Sequence, residues 1–303
     1  MDSLKDLIKN IRHLVKRNCP ILIDQEGGRV QRLTRPHFLK YPPAKVFGDV
    51  ASFNINDAQK AVYLNYSLIG KELINVGINV NCAPCIDVLS EETHEIIGDR
   101  AFSGDELIVS KLGQSACEGL MNNGVIPIIK HMPGHGKANA DSHMSLPVVS
   151  NSLRELEKKD FYPFKYLSKC PMAMTAHIAY SHIDSLNPIT TSKKAYHYIR
   201  NKIKYSGILI TDDICMKALS GSIKNKIENI NNAGYDLILH CSGKENELKD
   251  VLEFSPIVND DILEKWFNAL KMLKLKKSKN NNYEKNEINR IFYKYLGFKW
   301  DFQ

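Results

Sequence analysis

The sequence predicts an α/β protein with the architecture of a TIM-type (β/α)8-like barrel. Six short apolar runs do not alternate with polar residues, and predicted helices separate them, which is typical of parallel strands buried on both faces. The chain of 303 residues is long enough for one such barrel. An open, doubly wound sheet is the main alternative. However, Gly27 and Gly28 after the first run do not form the glycine-rich phosphate loop GxGxxG of many such sheets.

The N-terminal half alternates predicted helices and strands. Apolar residues within positions 1–18 recur at helical spacing between charges, which predicts an amphipathic helix rather than a signal peptide. A second helix over about 57–76 is predicted to end at Gly77, and a third covers about 105–122. The predicted strands of this half lie at 20–23, 78–87 and 125–129.

The C-terminal half repeats this pattern. A helix over about 152–167 precedes the fourth run, and the next helix is predicted to be capped near Thr191 or Ser192. The remaining strands are predicted at 172–176, 207–211 and 236–239. Helices are predicted from about residue 259 to the C-terminus, with a break at the asparagines 280–282.

Charge and cysteine content narrow the class of protein. No apolar run approaches the length of a membrane span. The net charge of +7 comes largely from lysines near the C-terminus, and no nucleic-acid-binding motif accompanies them, so we expect neither a membrane nor a nucleic-acid partner. Seven cysteines without an export signal predict reduced thiols in the cytoplasm. The Cys-x-x-Cys spacing of Cys82 and Cys85 lacks a second pair and is interpreted as coincidence.

Each apolar run ends in polar or charged residues. In β/α barrels and doubly wound sheets, the C-terminal ends of the parallel strands form the site. The residues at these ends should therefore converge at one mouth: Asp24, Asp87, Lys130, His131, His177, Asp212 and His240.

The segment 130–143 carries the densest titratable chemistry of the chain. His131 and His135 have the spacing of two zinc ligands on one helix face, but the proline and glycines of this segment do not sustain a helix. A carboxylate-imidazole pair of Asp141 and His143 is the alternative, since the aspartate can orient a ring that both donates and accepts a proton.

Such a mouth suits hydrolysis of a glycosidic bond. Cleavage with retention needs one carboxylate at the sugar carbon and a separate proton donor for the leaving oxygen. His143 can supply the proton, and Asp212 or Asp213 the carboxylate. Because neighbouring strand residues point to opposite faces, at most one of the two is expected to face a sugar, and spacing alone leaves the choice open. A supporting or helix-capping role is the favoured interpretation of Asp213.

Five motifs in order resemble those of glycoside hydrolase family 3, in particular its bacterial cytoplasmic β-N-acetylglucosaminidases that recycle cell-wall fragments. They are IDQEGGRVQRL at 23–33, IGDRAFS at 97–103, KHMPGHGKANADSH at 130–143, MTAHIAY at 174–180 and ITDDICMKAL at 210–219. The resemblance covers about 20–242. It implies a single family 3 catalytic barrel over 1–303, with a helical C-terminal segment from about residue 259.

The resemblance also implies the roles of individual residues. Asp212 would be the nucleophile that forms a covalent glycosyl-enzyme, and His143 would be the proton donor and acceptor, oriented and tuned by Asp141. Glu26, Arg29 and His135 would have supporting roles. No metal or organic cofactor is implied, and a monomer is expected. The residues that would bind N-acetylglucosamine and its neighbouring sugar are Asp24, Arg32, Arg100, Lys130 and His131.

The implied reaction removes terminal non-reducing N-acetyl-β-D-glucosamine from muropeptides that carry 1,6-anhydro-N-acetylmuramic acid. The chain departs from the family pattern at its start, where the first βα unit is expected to be absent, so the barrel is predicted to be irregular. The alternatives are a truncated sugar-binding relative with little or no activity, a family 3 β-glucosidase, and a zinc hydrolase that uses His131, His135 and His143.

Overall fold

A computed structural model describes residues 1–138, 140–142, 144–274 and 281–303. Within these ranges, six parallel strands form a sheet that curls into a half-barrel, in the order β1-β4-β5-β7-β9-β10. Two short two-stranded pairs, β2-β3 and β6-β8, lie beside it. The strands are β1 Leu22–Ile23, β2 Gln25–Gly27, β3 Val30–Gln31, β4 Val80–Asn81, β5 Ile126–Met132, β6 Val148–Val149, β7 Met172–Thr175, β8 Ala179–Tyr180, β9 Ile208–Asp213 and β10 Leu237–Leu239.

Eleven α-helices are described in the same ranges, and most of them connect consecutive strands of the sheet. None of them combines the length and the apolar character needed to span a bilayer. The helices are α1 Asp2–Leu14, α2 Ala44–Ala51, α3 Ile55–Val76, α4 Glu106–Met121, α5 Leu153–Lys158, α6 Tyr162–Tyr166, α7 Lys193–Tyr198, α8 Ile223–Ala233, α9 Glu245–Phe254, α10 Asp260–Lys271 and α11 Asn281–Leu296.

Most sequence predictions of these elements are confirmed, and three need correction. The strand predicted over 78–87 is limited to Val80–Asn81, with an isolated bridge at Cys85, because Pro84 lacks the N–H that a strand needs. Gly77 ends α3 with a φ of 93°, a left-handed conformation that glycine adopts without steric cost. The helix predicted over 152–167 is two helices, because Pro163 lacks an N–H and fits only in the first turn of a new helix, α6. The break predicted at 280–282 is wrong for residues 281 and 282, which lie in the first turn of α11.

The apolar core has an outer and an inner part, since alternate strand residues face opposite sides of the sheet. The outer part fills the space between sheet and helices. The inner part contains alternate residues of four neighbouring strands, such as Val80, Ile128, Met174 and Ile210. Helix α10 packs Trp266 and Ala269 against this inner cluster and therefore covers the concave side of the half-barrel.

The sheet is open within the described residues. Strand β1 pairs there only with β4, and β10 only with β9, so the two ends of the strand order do not meet. Helix α1 is the first described element, and β1 follows it. The predicted fold, an irregular TIM-like barrel, is confirmed.

Candidate active site

A buried network of alternating charges occupies the C-terminal edge of β1 and β5. Lys130, near the end of β5, lies 2.9 Å from Asp24 Oδ1 and 2.6 Å from Glu26 Oε1. Arg100 donates to both carboxylate oxygens of Glu26, at 2.9 Å each. The side chains of Lys130 and Glu26 are only 3% and 6% exposed. Burial of charges at this depth is costly unless each has a partner, and here each has at least one.

The pKa directions in this network keep all of its groups charged. Burial alone would raise the pKa of Glu26, but the positive charges of Lys130 and Arg100 outweigh it and lower that pKa. Burial alone would likewise raise the pKa of Asp24, and Lys130 again lowers it. Burial alone would lower the pKa of Lys130, but the two carboxylates outweigh it and raise that pKa. The edge of the sheet therefore presents fixed charges to a polar ligand at neutral pH.

His131 is oriented by Asp87, which follows β4. His131 Nδ1 lies 2.7 Å from Asp87 Oδ2, and the other oxygen of Asp87 accepts the backbone N–H groups of His131 and His135. Burial alone would raise the pKa of Asp87, but His131 and these hydrogen bonds lower it to about 2. Because an ionised carboxylate only accepts hydrogen bonds, Nδ1 carries the hydrogen and Nε2 points towards Arg100, 3.5 Å away.

Four of the five predicted substrate-binding residues meet in these contacts, and Arg32 lies at their margin. Arg32 is 3.5 Å from Asp24 Oδ2, and its side chain is 63% exposed. Sequence analysis placed Asp87 at the mouth without assigning its role, and it gave Glu26 only a supporting one. Asp24 follows β1, and Glu26 lies two positions later, in β2. This short spacing was the sign in the sequence that both carboxylates could contact Lys130.

The zinc interpretation of His131 and His135 gains no support in the described residues. Residues 126–132 form β5, as expected from the lack of a helix there. The two rings approach edge to face, with centroids 5.6 Å apart, and His135 belongs to neither of the two potential metal-ligand groups among the described residues. Burial lowers the pKa of His135 to about 4, so its ring is neutral.

Asp212 is the penultimate residue of β9 and lies beside this network. Its Oδ1 accepts the N–H of Asp213 at 2.8 Å. Burial opposes ionisation of Asp212. Its pKa is nevertheless lowered by the neighbouring imidazoles of His131 and His177, by this N–H group and by Lys130. Asp212 is therefore an ionised, half-buried carboxylate.

Asp213 has a different environment from Asp212. Its Oδ1 accepts the N–H groups of Cys215 and Cys241, each at 3.0 Å. His177 supports the same backbone, with Nε2 3.0 Å from the carbonyl oxygen of Asp213 and Nδ1 2.7 Å from Thr190. Asp213 thus fixes two loops, which is a supporting role rather than a helix cap, since neither Cys215 nor Cys241 begins a helix.

The other strand-end histidine lies apart from the charge network. His240 follows β10, but its ring contacts Glu247 and Ser242 rather than Lys130, His131 or Asp212. The predicted convergence is therefore incomplete at this position.

The predicted acid/base residue His143 lies outside the described residues, and its neighbours can be located. The N–H of Ala218, in the loop that follows Asp212, donates to the carbonyl of Ser142 at 3.2 Å. Ser142 is buried, and the carbonyl of Asp141 accepts the N–H groups of Met144 and Ser145. The loop that carries Asp141 and Ser142 is therefore attached to the loop after Asp212.

The first residues of the loop that leads to Asp141 pack against Asp160. A Cβ added to Gly136 would lie 1.9 Å from the carbonyl oxygen of Val88 and 2.7 Å from Asp160 Oδ1, so glycine is required by this close approach. The hydroxyl of Tyr180 also donates to the carbonyl of Gly134. Asp160 Oδ2 is buried without a hydrogen-bond partner among the described residues, and burial raises the pKa of Asp160 to about 7.

Asp160→Asn is expected to stabilise the protein at pH 8. The pKa of Asp160 is raised above its ordinary 3.8, so its contribution to stability is fully present below that value and is lost as pH rises through about 7. Removal of the charge should recover up to about 4 kcal/mol of unfolding free energy at pH 8 and little at pH 4, at about 1.4 kcal/mol per pKa unit. Urea unfolding at both pH values measures the difference.

Asp184→Asn is the matched control with the opposite sign. This buried carboxylate accepts hydrogen bonds from Ser192 and the N–H of Leu186, and although burial opposes it, these bonds lower its pKa. Its contribution is present above the ordinary pKa and lost as pH falls, so the control variant should be less stable than the parent at pH 8. A loss of stability at pH 8 in Asp160→Asn would contradict the prediction.

Comparisons with known proteins identify the family. The glycosyl hydrolase family 3 N-terminal domain matches residues 1–266. The β-hexosaminidase of Nitrosomonas eutropha is 32% identical over 249 residues, which cover 80% of this chain and 71% of that protein. The β-hexosaminidase of Haemophilus influenzae is 32% identical over 256 residues, which cover 82% of this chain and 71% of that protein.

Solved structures agree with this result. Native NagZ from Neisseria gonorrhoeae superposes with a TM-score of 0.81 at 27% identity, over 98% of this chain and 86% of that chain. The complex of the same protein with N-trifluoroacetyl-D-glucosamine gives a TM-score of 0.80 at 28% identity, over 96% and 82% of the two chains. The predicted enzyme class, a glycosidase of the β-hexosaminidase type, is confirmed by these relatives. This chain belongs to glycosyl hydrolase family 3.

Proposed function

We propose that this protein is a retaining exo-glycosidase that removes terminal N-acetyl-β-D-glucosamine from muropeptides ending in 1,6-anhydro-N-acetylmuramic acid. It would act in the cytoplasm during recycling of the cell wall. The observation that carries the proposal is the ionised carboxylate of Asp212 at the end of β9, beside His131 and Lys130. The β-hexosaminidase relatives, and the solved relative that binds a glucosamine derivative, support the choice of sugar.

In the proposed first step, an oxygen of Asp212 attacks the anomeric carbon of N-acetylglucosamine and the glycosidic bond breaks. The leaving oxygen takes a proton from the imidazolium form of His143, which becomes neutral imidazole, and Asp141 orients this ring. In the second step, His143 takes a proton from water, whose oxygen displaces Asp212 and releases the sugar with retained configuration. The lowered pKa of Asp212 favours this role, since only the carboxylate form is a nucleophile.

The charge network would hold the sugar for this attack. Asp24 and Lys130 are fixed by their ion pair, and Arg100 is fixed by Glu26, so their remaining hydrogen-bonding capacity is oriented before the substrate arrives. His131 is oriented by Asp87 in the same way. Arg32, which is exposed at the margin, is assigned to the neighbouring sugar.

A substrate comparison tests this function. We expect the purified protein to hydrolyse p-nitrophenyl N-acetyl-β-D-glucosaminide much faster than p-nitrophenyl β-D-glucoside, and to cleave N-acetylglucosaminyl-1,6-anhydro-N-acetylmuramic acid. Proton NMR during the first minutes should show the β-anomer of N-acetylglucosamine as the initial product. Faster glucoside hydrolysis would favour a β-glucosidase, an initial α-anomer would exclude retention, and sugar binding without turnover would favour the inactive relative.

His143→Ala should slow the reaction according to the leaving group. Loss of a general acid typically costs about 10²- to 10⁴-fold, and the cost falls when the leaving group needs no proton. We therefore expect a loss in that range for the disaccharide and a much smaller loss of the glycosylation rate for an acidic aryl leaving group. His13→Ala, a change of an exposed histidine on α1, is the control and should leave both rates unchanged. Equal losses for both substrates would contradict the role of His143.

A further inference from the structure

Four polar side chains outside the proposed catalytic machinery meet beside the ends of β9 and β10. Cys215 lies in the loop after β9, His240 and Ser242 follow β10, and Glu247 lies in the first turn of α9. The sulfur of Cys215 is 3.6 Å from Glu247 Oε2, and His240 Nε2 is 3.3 Å from the same oxygen. Ser242 Oγ is 3.2 Å from His240 Nε2 and accepts the N–H of Lys244 at 3.2 Å.

These separations are those of a tetrahedral metal site. Zinc binds cysteine sulfur at about 2.3 Å, histidine nitrogen at about 2.0 Å and carboxylate oxygen at about 2.1 Å, and in a tetrahedron these lengths place neighbouring ligand atoms roughly 3.3 to 3.6 Å apart. The distances to Glu247 Oε2 are 3.6 Å from sulfur and 3.3 Å from nitrogen. The ligand atoms of Cys215, His240 and Glu247 all lie within 4.8 Å of one another.

The surrounding contacts hold these side chains in place. Asp213 accepts the N–H of Cys215 and the N–H of Cys241, which fixes both loops that supply ligands. Lys244 donates to the other oxygen of Glu247, Oε1, at 2.9 Å, and leaves Oε2 facing the cluster. The side chain of His240 is 6% exposed, whereas that of Glu247 is 23% exposed, so an ion can enter past the carboxylate.

The other group of potential ligands in the described residues is unsuitable. Cys85, Asp87 and His131 are buried, and the carboxylate of Asp87 is already saturated by the ring and backbone of His131, the N–H of His135 and the thiol of Cys85. In the cluster after β9 and β10, by contrast, Glu247 Oε2 lies 3.6 Å from the sulfur of Cys215 and 3.3 Å from His240 Nε2, and all three residues are half-buried.

We propose that Cys215, His240 and Glu247 bind one Zn²⁺ ion, with Ser242 Oγ or a water molecule as the fourth ligand. A thiolate and an imidazole favour zinc over Mg²⁺ or Ca²⁺, which prefer sets of oxygen ligands. On binding, the thiol of Cys215 releases its proton to solvent and no other bond changes. The ion would link the loop that follows Asp212 to α9.

Cobalt substitution tests this site with a readout independent of activity. One equivalent of Co²⁺ added to the full-length protein should produce a thiolate-to-cobalt band in the near ultraviolet and the intense visible absorption of tetrahedral cobalt, and Zn²⁺ should abolish both. Cys215→Ser should remove the ultraviolet band and weaken Zn²⁺ binding by more than about 100-fold, since even residues that only orient a ligand contribute roughly 10- to 100-fold. Cys19→Ser is the matched control, a change of another half-buried thiol, and should keep both signals.

Alkylation of the parent protein gives a second measurement. It needs no substituted variant and therefore does not require that such a variant folds. Iodoacetamide labelling followed by peptide mass analysis should show that Zn²⁺ slows modification of Cys215 at least tenfold and leaves Cys19 unchanged. Mg²⁺ at the same concentration should protect neither thiol. Absence of a thiolate band together with unprotected Cys215, or an unchanged cobalt spectrum in folded Cys215→Ser, would overturn the proposal.

Discussion

Asp212→Ala is expected to lower kcat/KM for p-nitrophenyl N-acetyl-β-D-glucosaminide by roughly 10⁴- to 10⁶-fold, the range found when a catalytic nucleophile is removed. Asp212 lies at the end of β9, and its lowered pKa keeps the carboxylate ionised in the free enzyme. Alanine leaves the oxocarbenium-like centre without an anionic partner and prevents formation of the covalent intermediate. Measurement of kcat and KM separately should assign most of the loss to kcat.

Rescue by azide separates the loss of the nucleophile from general damage. A small anion that fills the space of the missing carboxylate can attack the anomeric carbon from the same face, and its product should be the α-glycosyl azide. Asp250→Ala, which removes an exposed carboxylate on α9, should keep full activity. Asp213→Asn should lower stability only slightly, because its amide oxygen can still accept the two backbone N–H groups, and it should form no glycosyl azide. Rescue of Asp213→Asn rather than Asp212→Ala would reverse the assignment.

The strands were predictable from the sequence because both of their faces are buried. Strand residues such as Ile128 and Ile129 pack on the inner and the outer cluster respectively, so an uninterrupted apolar run was the correct pattern. The helix boundary at Gly77 was equally clear, since its left-handed φ is a local property of the chain.

The role of α10 was not predictable in the same way. Trp266 and Ala269 have the spacing of any amphipathic helix, and that pattern does not say which surface a helix covers. Their partners are inner residues of strands far away in the sequence, such as Met174 and Ile210. The local sequence of a helix therefore does not identify packing partners that are distant in the chain.

The candidate site shows the same division between local and long-range information. Asp24, Lys130 and Asp212 were predicted together because each lies at or next to the C-terminal end of a strand, and the topology brings strand ends together. The pairing of Asp87 with His131 was missed because residues 44 positions apart carry no sign of which partner each will orient. Spacing left the choice between Asp212 and Asp213 open, and only the resemblance to family 3 implied Asp212. The contacts add a difference that spacing could not give, since Asp213 accepts two loop amides and Asp212 accepts the N–H of Asp213.

Lys130→Met is expected to lower the free energy of unfolding at pH 7 by about 3 to 5 kcal/mol, the usual cost of removing one partner from a buried ion pair. Lys130 is the shared partner of Asp24 and Glu26, and its side chain is 3% exposed. Methionine nearly preserves the volume but leaves Glu26 paired with Arg100, and Asp24 paired with the exposed guanidinium of Arg32. Urea unfolding at constant ionic strength measures the loss.

The dependence of this loss on pH identifies its cause. The pKa values of Asp24 and Glu26 are lowered from 3.8 and 4.5, so their contribution to stability is present above these values and is lost as pH falls. The difference in unfolding free energy between the parent and Lys130→Met should therefore shrink towards pH 3. A difference caused by lost packing would not change with pH. Lys60→Met removes an ion pair whose lysine side chain is 47% exposed and should cost at most about 1 kcal/mol. A loss in Lys130→Met that stays constant with pH would assign the effect to packing and contradict a network held together by charge.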